Sequence, residues 1–241
     1  MSEQTIHFAP HVTEFYDAVR IMGLDPNNPG LSKIIKYLSV MLERNVSLNL
    51  TAITDPVSAL RLHVLDSLTI FKFLDLSGCR VLDVGAGGGF PGAAIAAYEP
   101  RCRVTFLDST AKKLDFVRKT CESLGICADY VNLRAEDYAH ADGRGAFDVV
   151  TARAVAELRV LTEICLPCLR VGGVFAAYKA DVAAELRDAQ RAIAILGGHA
   201  EVYEYKIPGA DAVRSLVIVT KEREAPREYP RRWAQIKKMP L

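Results

Sequence analysis

The chain has 241 residues, of which 50% are hydrophobic and 24% charged, and its formal net charge is +1. These values indicate a folded protein with one substantial core plus an appendage, and they exclude a chain that is basic throughout, so any affinity for a polyanion requires a local patch. Residues 1–10 lack the basic start and apolar core of a signal peptide, and no apolar stretch reaches the ~18 residues of a membrane span. We therefore expect a cytoplasmic protein with no membrane partner.

The first part of the chain shows apolar residues at helical spacing. This pattern predicts three helices, divided by turn-rich segments at 25–30 and 45–56, over Val12–Met22, Leu31–Arg44 and Val57–Leu74. The chain contains no internal repeat and no low-complexity linker. We therefore expect this helical region, residues 1–78, to pack on the rest of the protein.

The most informative stretch is residues 80–92, Arg-Val-Leu-Asp-Val-Gly-Ala-Gly-Gly-Gly-Phe-Pro-Gly. An apolar strand runs through an acid into a glycine-rich turn and then into a helix, which is typical of a nucleotide-cofactor pocket. Gly85 and Gly87 can take backbone angles closed to other residues and let a ligand approach the main chain closely. Pro91 suits the first turn of the following helix.

Two cofactors are compatible with this loop. Gly87, Gly89 and Gly92 satisfy the G-x-G-x-x-G pattern of dinucleotide sites, and an acid follows at Asp108. Asp83 favours S-adenosylmethionine, because a carboxylate that points into the pocket repels a pyrophosphate and attracts a cationic aminoacyl group. Asp108 would then hold the ribose hydroxyls. A strand–turn–helix with a purely structural role is the third interpretation.

After residue 78 the sequence alternates between short apolar runs and helical patterns. The predicted strands are Val81–Val84, Val104–Leu107, Tyr130–Leu133, Asp148–Thr151 and Val174–Tyr178, and the predicted helices are Ala93–Tyr98, Lys112–Leu124, Glu157–Leu169 and Ala183–Leu196. Such alternation predicts an α/β fold with a parallel sheet covered on both faces and a ligand beyond the carboxyl ends of its strands. Asp83, Asp108 and Glu136 each lie at or just past such an end.

Two further strands, Glu201–Ile207 and Val213–Thr220, are joined by a connection too short for a crossover helix. They are predicted to pair antiparallel, which completes a seven-stranded, mostly parallel sheet in a core domain at residues 79–221.

The last segment, residues 222–241, is locally basic. Its RNA-binding candidates are Arg231, Arg232, Lys237 and Lys238, and Lys179 and Arg214 are predicted to extend the patch. Tyr229 and Trp233 interleave aromatic faces that could stack on splayed bases. The alternative is a solvated, disordered terminus.

The six cysteines are expected to be reduced and packed, because the chain is far larger than a disulfide-stapled miniature. Cys165 and Cys168 form a C-x-x-C pair inside an apolar helical run, and no second pair stands at zinc-ligand spacing. We therefore predict a core role for this pair and no metal site.

Several motifs together resemble those of the bacterial small-subunit (16S) ribosomal RNA guanine-N7 methyltransferases, the family also called glucose-inhibited division protein B. They are Asn49-Leu-Thr-Ala-Ile53, His63-Val-Leu-Asp-Ser-Leu68, residues 82–92, Leu107-Asp-Ser109, Arg134-Ala-Glu136 and residues 147–154. The resemblance runs from about Leu31 to the end of the chain. It departs from the family pattern at Leu62, where an arginine is usual, and at Ala180, where a glycine is usual.

The resemblance implies a class I methyltransferase with a Rossmann-like sheet that transfers the methyl group of S-adenosylmethionine to N7 of a guanine in the decoding-region loop of 16S RNA. The substrate would be the RNA or the small ribosomal subunit, and we expect a monomer. Beside Asp83, Gly87 and Asp108, the cofactor contacts carried over by position are Gly85, Phe90, Ala135, Glu136 and Arg153.

Guanine N7 carries a lone pair and no proton, so its methylation needs alignment rather than a general base. The candidates for catalytic roles are His63, Asp66 and Arg153. Asp66 would stabilise the cationic base that forms, and it shares a helix face with His63 at i,i+3 spacing, whereas Arg153 would orient the base or the cofactor carboxylate. Two other functions stay open at this point, a methyltransferase acting on a small molecule or a protein, and a NAD(P)-dependent oxidoreductase.

Overall fold

The computed structural model describes Phe8 and residues 11–241. Its first part is helical, as the apolar spacing predicts. Helix α1 is Val12–Ile21 and helix α2 is Gly30–Leu48. Helix α2 continues past the predicted end at Arg44 and stops where Asn49 takes the left-handed conformation, with φ of 48°.

The third helical segment, α3 (residues 56–72), changes its hydrogen-bonding pattern along its length. It begins as an α-helix at Pro56–Ala59, widens into a π-helical turn at Leu60–Leu65, returns to an α-helix at Asp66–Leu68 and ends as a 3-10 turn at Thr69–Lys72. π-Helical turns are rare and occur frequently at functional sites. This one contains His63 and leads directly into Asp66.

Seven strands form one sheet in the order β3-β2-β1-β4-β5-β7-β6. They are β1 Arg80–Val84, β2 Arg103–Leu107, β3 Asp129–Val131, β4 Phe147–Arg153, β5 Leu169–Lys179, β6 Gly198–Lys206 and β7 Val213–Lys221. The first five strands are parallel, and β7 pairs antiparallel with both β5 and β6. The predicted class, a mostly parallel α/β sheet with a C-terminal antiparallel hairpin, is confirmed.

The helices of the second part are α4 Gly92–Tyr98, α5 Ala111–Ser123, α6 Ala135–His140, α7 Leu158–Cys165, α8 Ala183–Ile195 and α9 Trp233–Lys238. The helix predicted over Glu157–Leu169 is too long, because Pro167 lies in a 3-10 turn and Leu169 already belongs to β5. Helices α6 and α9 were not predicted, since six residues are too few to display a helical period.

The sheet separates two cores. One core joins helices α1 to α5 to one face through residues such as Val81 and Phe106, and the other joins α7 and α8 to the opposite face through Leu82 and Val150. The C-terminal segment contributes Ala225 and the fully buried Ile236 to the second core. The three segments predicted at 1–78, 79–221 and 222–241 therefore share cores across their boundaries.

The cysteines are free thiols in the structure. Cys102, Cys121, Cys165 and Cys168 are buried, whereas Cys127 is exposed, contrary to the expectation that all are packed. Within the described part of the chain, no helix combines the length and the apolar character needed to cross a membrane.

Candidate cofactor site and the buried network beside it

The glycine-rich loop lies at the carboxyl end of β1, next to β4, where the strand order reverses and where open α/β sheets bind ligands. Gly85, Gly87 and Gly89 have φ of 71°, 53° and 94°, a region that side-chain-bearing residues rarely adopt. Helix α2 supports the loop from behind. The Tyr37 hydroxyl donates to the Gly88 carbonyl at 3.1 Å, and a Cβ at Gly89 would clash with the Tyr37 ring.

A cleft opens in front of this loop, and we call it the cofactor cleft. Its lining comes from the ends of β1, β2 and β4, from α6 and α7, and from the C-terminal segment, and consists of Val84, Gly85, Leu107, Asp108, Ser109, Leu133, Arg134, Ala135, Glu136, Val155, Ile164 and Trp233. Of the residues that the sequence assigned to the cofactor, Gly85, Asp108, Ala135 and Glu136 are therefore brought together here.

Asp108 is held in place by the loops on both sides of it. One carboxylate oxygen accepts a hydrogen bond from the Gly87 N–H at 2.9 Å, and the other accepts from the Thr110 N–H at 2.7 Å. Each oxygen keeps a second lone pair, so the half-exposed carboxylate can still accept hydrogen bonds from a ligand in the cleft.

Asp83 lies elsewhere than the sequence predicts. It is 1% exposed and sits beneath the loop, where its carboxylate accepts hydrogen bonds from the Gly92 N–H and the Thr151 hydroxyl, both at 2.9 Å. Burial raises its pKa to about 6, although these two hydrogen bonds oppose the shift. The expectation that Asp83 points into the pocket is wrong, because the carboxylate is buried beneath the loop, where it links the start of α4 to β4.

The loop after β4 forms another wall of the cofactor cleft. Ala154 has φ of 56°, which is uncommon for a residue with a Cβ. The next residue, Val155, lies so close to Gly85 that a Cβ added at Gly85 would be 2.6 Å from the Val155 side chain. Lys179 holds this loop by donating to the Ala156 carbonyl at 2.8 Å and to the Glu185 carboxylate at 2.6 Å. The predicted RNA contact at Lys179 is thus engaged in a partly buried structural pair.

Beside the loop lies a buried cluster centred on Asp66, which we call the Asp66 network. The carboxylate is fully buried and accepts hydrogen bonds from Arg153 at 3.2 Å, Arg214 at 2.6 and 3.0 Å and the Tyr205 hydroxyl at 2.6 Å. Asp66 therefore does not face a substrate, and Arg214 is not a free cation for RNA. The catalytic role predicted for Asp66 and the RNA contact predicted for Arg214 are both corrected, because these two side chains bind each other.

His63 connects the Asp66 network to the glycine loop. Its ring stacks on Phe90 with centroids 5.5 Å apart, its Nδ1 lies 3.2 Å from an Arg153 nitrogen, and its Nε2 lies 2.8 Å from the Thr51 hydroxyl oxygen. Desolvation and the neighbouring Arg153 lower its pKa to about 4, so the ring is neutral at pH 7. Because arginine can only donate, Nδ1 accepts and Nε2 donates to Thr51.

Phe90 and Arg153 lie at the same junction. Phe90 is 6% exposed, packs edge-on against Tyr37 and carries the Arg153 guanidinium 5.9 Å from its ring centre. Arg153 also donates to the Leu62 carbonyl at 3.0 Å. Neither residue lines the cofactor cleft. Phe90 packs on Tyr37 of helix α2, and Arg153 is tied to Asp66.

The C-terminal segment is folded onto the core rather than extended as a separate tail. The Arg231 guanidinium forms two hydrogen bonds, at 2.6 and 2.8 Å, with the fully buried Glu163, and Arg144 donates to the backbone carbonyls of Ala225, Pro226 and Tyr229. The predicted RNA contact at Arg231 is therefore a structural pair.

Among the residues of this segment that the sequence assigned to RNA, Arg232, Lys237 and Lys238 are exposed and have no ion-pair partner in the described part of the chain. We call this group the C-terminal rim. Of the six residues that the sequence assigned to RNA, these three remain available.

The cleft-lining residues that sequence reasoning did not assign to the cofactor include Arg134, Val155 and Trp233. Arg134 could have been predicted to line the cleft, because it precedes Ala135 and directly follows a predicted strand. Trp233 carried no such signal, since its position depends on the fold of residues 222–241. The signal for the partner of Asp83 was Thr151, because a polar residue within a buried strand needs a hydrogen-bonding partner.

Comparison with known proteins gives a consistent family. Residues 30–213 match the family model described as rRNA small subunit methyltransferase G. The chain is 39% identical over 233 residues to the ribosomal RNA small subunit methyltransferase G of Exiguobacterium sibiricum, covering 95% of this chain and 98% of the relative. It is 42% identical to the protein of the same name from Pelotomaculum thermopropionicum, covering 93% and 96%.

Solved structures show the same fold at low sequence identity. The chain is similar to a SAM-dependent O-methyltransferase from Thermotoga maritima, with a TM-score of 0.52, 15% identity and coverage of 77% of this chain and 73% of that one. It is also similar to precorrin-6y C5,15-methyltransferase from Geobacter metallireducens, with a TM-score of 0.50, 16% identity and coverage of 65% and 87%.

Proposed function

The chain belongs to the rRNA small subunit methyltransferase G family, and from this premise we propose that it transfers the methyl group of S-adenosylmethionine to N7 of a guanine in the decoding-region loop of 16S ribosomal RNA. The resemblance found in the sequence is confirmed at the level of the family. The target atom and its place in the RNA are proposals.

The residues of the cofactor cleft fit S-adenosylmethionine. The glycine loop offers backbone without side chains, the Asp108 carboxylate has free lone pairs for the ribose hydroxyls, and Ala135 and Glu136 lie at the start of α6 for the adenine. Bound S-adenosylmethionine would supply an electrophilic methyl group on a sulfonium. Asp83 acts on this site indirectly, by fixing the loop.

The observation that carries the proposed chemistry is the state of His63. The ring is neutral, both of its nitrogens are engaged, and its pKa lies far below 7. Such a histidine is a poor general base, and Asp66 beside it is saturated with donors. This arrangement suits guanine N7, which attacks with a lone pair and has no proton to lose.

The protein's contribution is then positioning. Aligning the attacking nitrogen, the methyl carbon and the sulfur with reacting atoms about 3–3.5 Å apart can supply several kcal/mol of the barrier. We propose that His63, Arg153 and Phe90 act by holding the glycine loop in position through their mutual contacts. They are positioning residues in this scheme.

We propose that the C-terminal rim contacts RNA phosphates. Arg232 precedes Trp233, which lines the cofactor cleft, so the free cations begin at the edge of the site. We further propose that the protein acts as a monomer in the cytoplasm, where its ribosomal substrate is found.

Methylation mapping tests the proposed function. Purified protein and S-adenosylmethionine are incubated with 16S RNA or with small subunits from cells that lack this gene, and the RNA is then reduced with borohydride and cleaved with aniline, which cuts at N7-methylguanine. We expect one new cleavage site in the decoding-region loop and none in 23S RNA. Methyl transfer to an exocyclic amine, to protein or to metabolites would contradict the proposal, and binding of NADH instead of S-adenosylmethionine would contradict the cofactor.

A further inference from the structure

The C-terminal segment places an aromatic side chain in the cofactor cleft. Trp233 opens helix α9 and lines the cleft together with Gly85, Asp108 and Glu136, which come from three different parts of the sheet. Its indole is half-buried and packs against the second core. A residue that lies outside the 30–213 span of the family match thus borders the site.

The position of this indole is fixed by strong contacts on both sides of it in the chain. Before it, Arg231 is clamped to buried Glu163 by a backbone and two side-chain hydrogen bonds of 2.6–2.9 Å. After it, Ile236 is completely buried. Glu163 is next to Ile164, which lines the same cleft, so one helix holds the segment and borders the site.

Arg134 shows which end of the cleft the indole faces. Its guanidinium lies 5.2 Å from the centre of the Trp233 ring, and the next two residues are Ala135 and Glu136. The indole therefore borders the α6 end of the cleft, where an adenine would lie, rather than the glycine-loop end. Aromatic faces stack well on purines, whatever the sequence context.

We propose that Trp233 is a cofactor-contacting residue whose indole forms the outer wall of the adenine end of the cleft. The C-terminal segment thereby completes the cofactor site, in place of the base-stacking role on RNA that the sequence suggested for this tryptophan. The inference rests on the proposed function only in taking S-adenosylmethionine as the ligand.

The chain carries its own reporter for this contact, because Trp233 is the single tryptophan among 241 residues. The full-length protein is titrated with S-adenosylhomocysteine, the unreactive product form, and binding is followed by tryptophan emission and by calorimetry. We expect a saturable change in emission that gives the same dissociation constant as the heat. Unchanged emission at calorimetric saturation overturns the inference.

Variants separate contact from packing. We expect Trp233→Ala to weaken binding of S-adenosylhomocysteine by about tenfold, and Trp233→Phe by about threefold or less, because a stacking surface is retained. The matched control is Tyr229→Ala, since Tyr229 is also a half-buried aromatic of this segment that packs on the second core and against an arginine, yet does not line the cleft. Its affinity should stay within about twofold of the parent.

The outcomes distinguish this inference from the proposed function. If the parent protein binds S-adenosylhomocysteine and Trp233→Ala binds it equally well, the inference fails and the function stands. If a decoding-loop RNA oligonucleotide shifts the emission while S-adenosylhomocysteine does not, the indole serves the RNA and the inference fails. If the parent protein binds no S-adenosylhomocysteine by calorimetry, both fall together.

Discussion

The Asp66 network and the C-terminal rim are both rich in basic residues, but their charges are used in opposite ways. In the network, Arg153 and Arg214 converge on one carboxylate that has no exposed surface. At the rim, Arg232, Lys237 and Lys238 point into solvent without a partner among the described residues. The first arrangement fixes the protein's own geometry, whereas the second leaves charge available for a ligand.

This difference shows that the role of a basic residue near a site depends on which group it is paired with, and not on its residue type. Lys179, Arg214 and Arg231 are basic like the rim residues, but each of them is paired with a carboxylate. The distinction predicts separate consequences: changes in the network should cost folding stability, and changes at the rim should cost only RNA affinity.

The largest effect is expected for Asp66→Ala. The substitution leaves the largely buried Arg153 and Arg214 side chains with no counter-charge and leaves the Tyr205 hydroxyl without its acceptor. Removing one partner of a buried charge cluster typically costs about 3–5 kcal/mol. The measurement is the free energy of unfolding from urea titration at pH 7.

The control for this variant is Asp17→Ala, which breaks an exposed i,i+3 pair with Arg20. Exposed pairs contribute about 0.2–1 kcal/mol, so the control should unfold almost as the parent does. A loss below about 1 kcal/mol for Asp66→Ala would break the comparison, since the network would then behave like a surface pair.

The second prediction concerns the pH dependence that His63 gives to stability. Its folded pKa of about 4 lies below its ordinary value of 6.5, so the unfolded chain binds the extra proton, and stability from this group is present above 6.5 and lost as the pH falls towards 4. Asp83 acts in the opposite sense. Its pKa is raised to about 6, so its contribution is present below 3.8 and lost as the pH rises through 6.

Replacing His63 by Gln separates the contribution of His63 to the pH dependence of stability from that of Asp83. The stability difference between parent and His63→Gln should grow as the pH rises from 4 to 6.5, by on the order of 2–3 kcal/mol in favour of the parent. Urea titrations at half-unit steps of pH give this difference directly. A difference that stays constant across the window would show that His63 is not held neutral by the network.

The fold was largely predictable from the sequence, and the charge pairs were not. Alternating apolar runs and helical patterns predict the parallel sheet, and the glycines of residues 85–92 indicate the candidate ligand site at its edge. The pairs join residues far apart in the chain, such as Asp66 with Arg214 and Glu163 with Arg231. No local pattern encodes such a partner, because the contact exists only after β7 and the C-terminal segment have packed.

The third prediction separates the two acids at the cofactor site. Asp108→Asn removes the charge from a half-exposed carboxylate in the cleft, and we expect it to weaken S-adenosylhomocysteine binding by about 1.5–3 kcal/mol, the usual range for a hydrogen bond to a charged group. Calorimetry measures the change. Asp115→Asn, on the outer face of α5, is the control and should leave the affinity unaltered.

Asp83→Asn sharpens this test. Because Asp83 lies beneath the loop, its replacement should alter the stability of the protein and change cofactor affinity only through the loop. If Asp83→Asn weakened binding more than Asp108→Asn while stability was unchanged, the carboxylate would have to reach the ligand directly, as the sequence first suggested.

The smallest effect is expected at the rim and appears in RNA binding alone. Replacing Arg232, Lys237 and Lys238 together by Gln should leave unfolding and cofactor affinity unchanged, since these side chains are exposed. It should reduce the slope of log K against log salt concentration for a decoding-loop RNA by about 2, since each single-stranded phosphate contact contributes about 0.7. Filter binding from 50 to about 200 mM salt resolves such a change.

The control is the double replacement of Arg187 and Arg191 by Gln on the exposed face of α8, which removes comparable charge without touching the rim and should keep the parent slope. If both variants lost slope equally, the attraction would be a property of net charge, and the contrast between paired and free cations would not explain where the RNA binds.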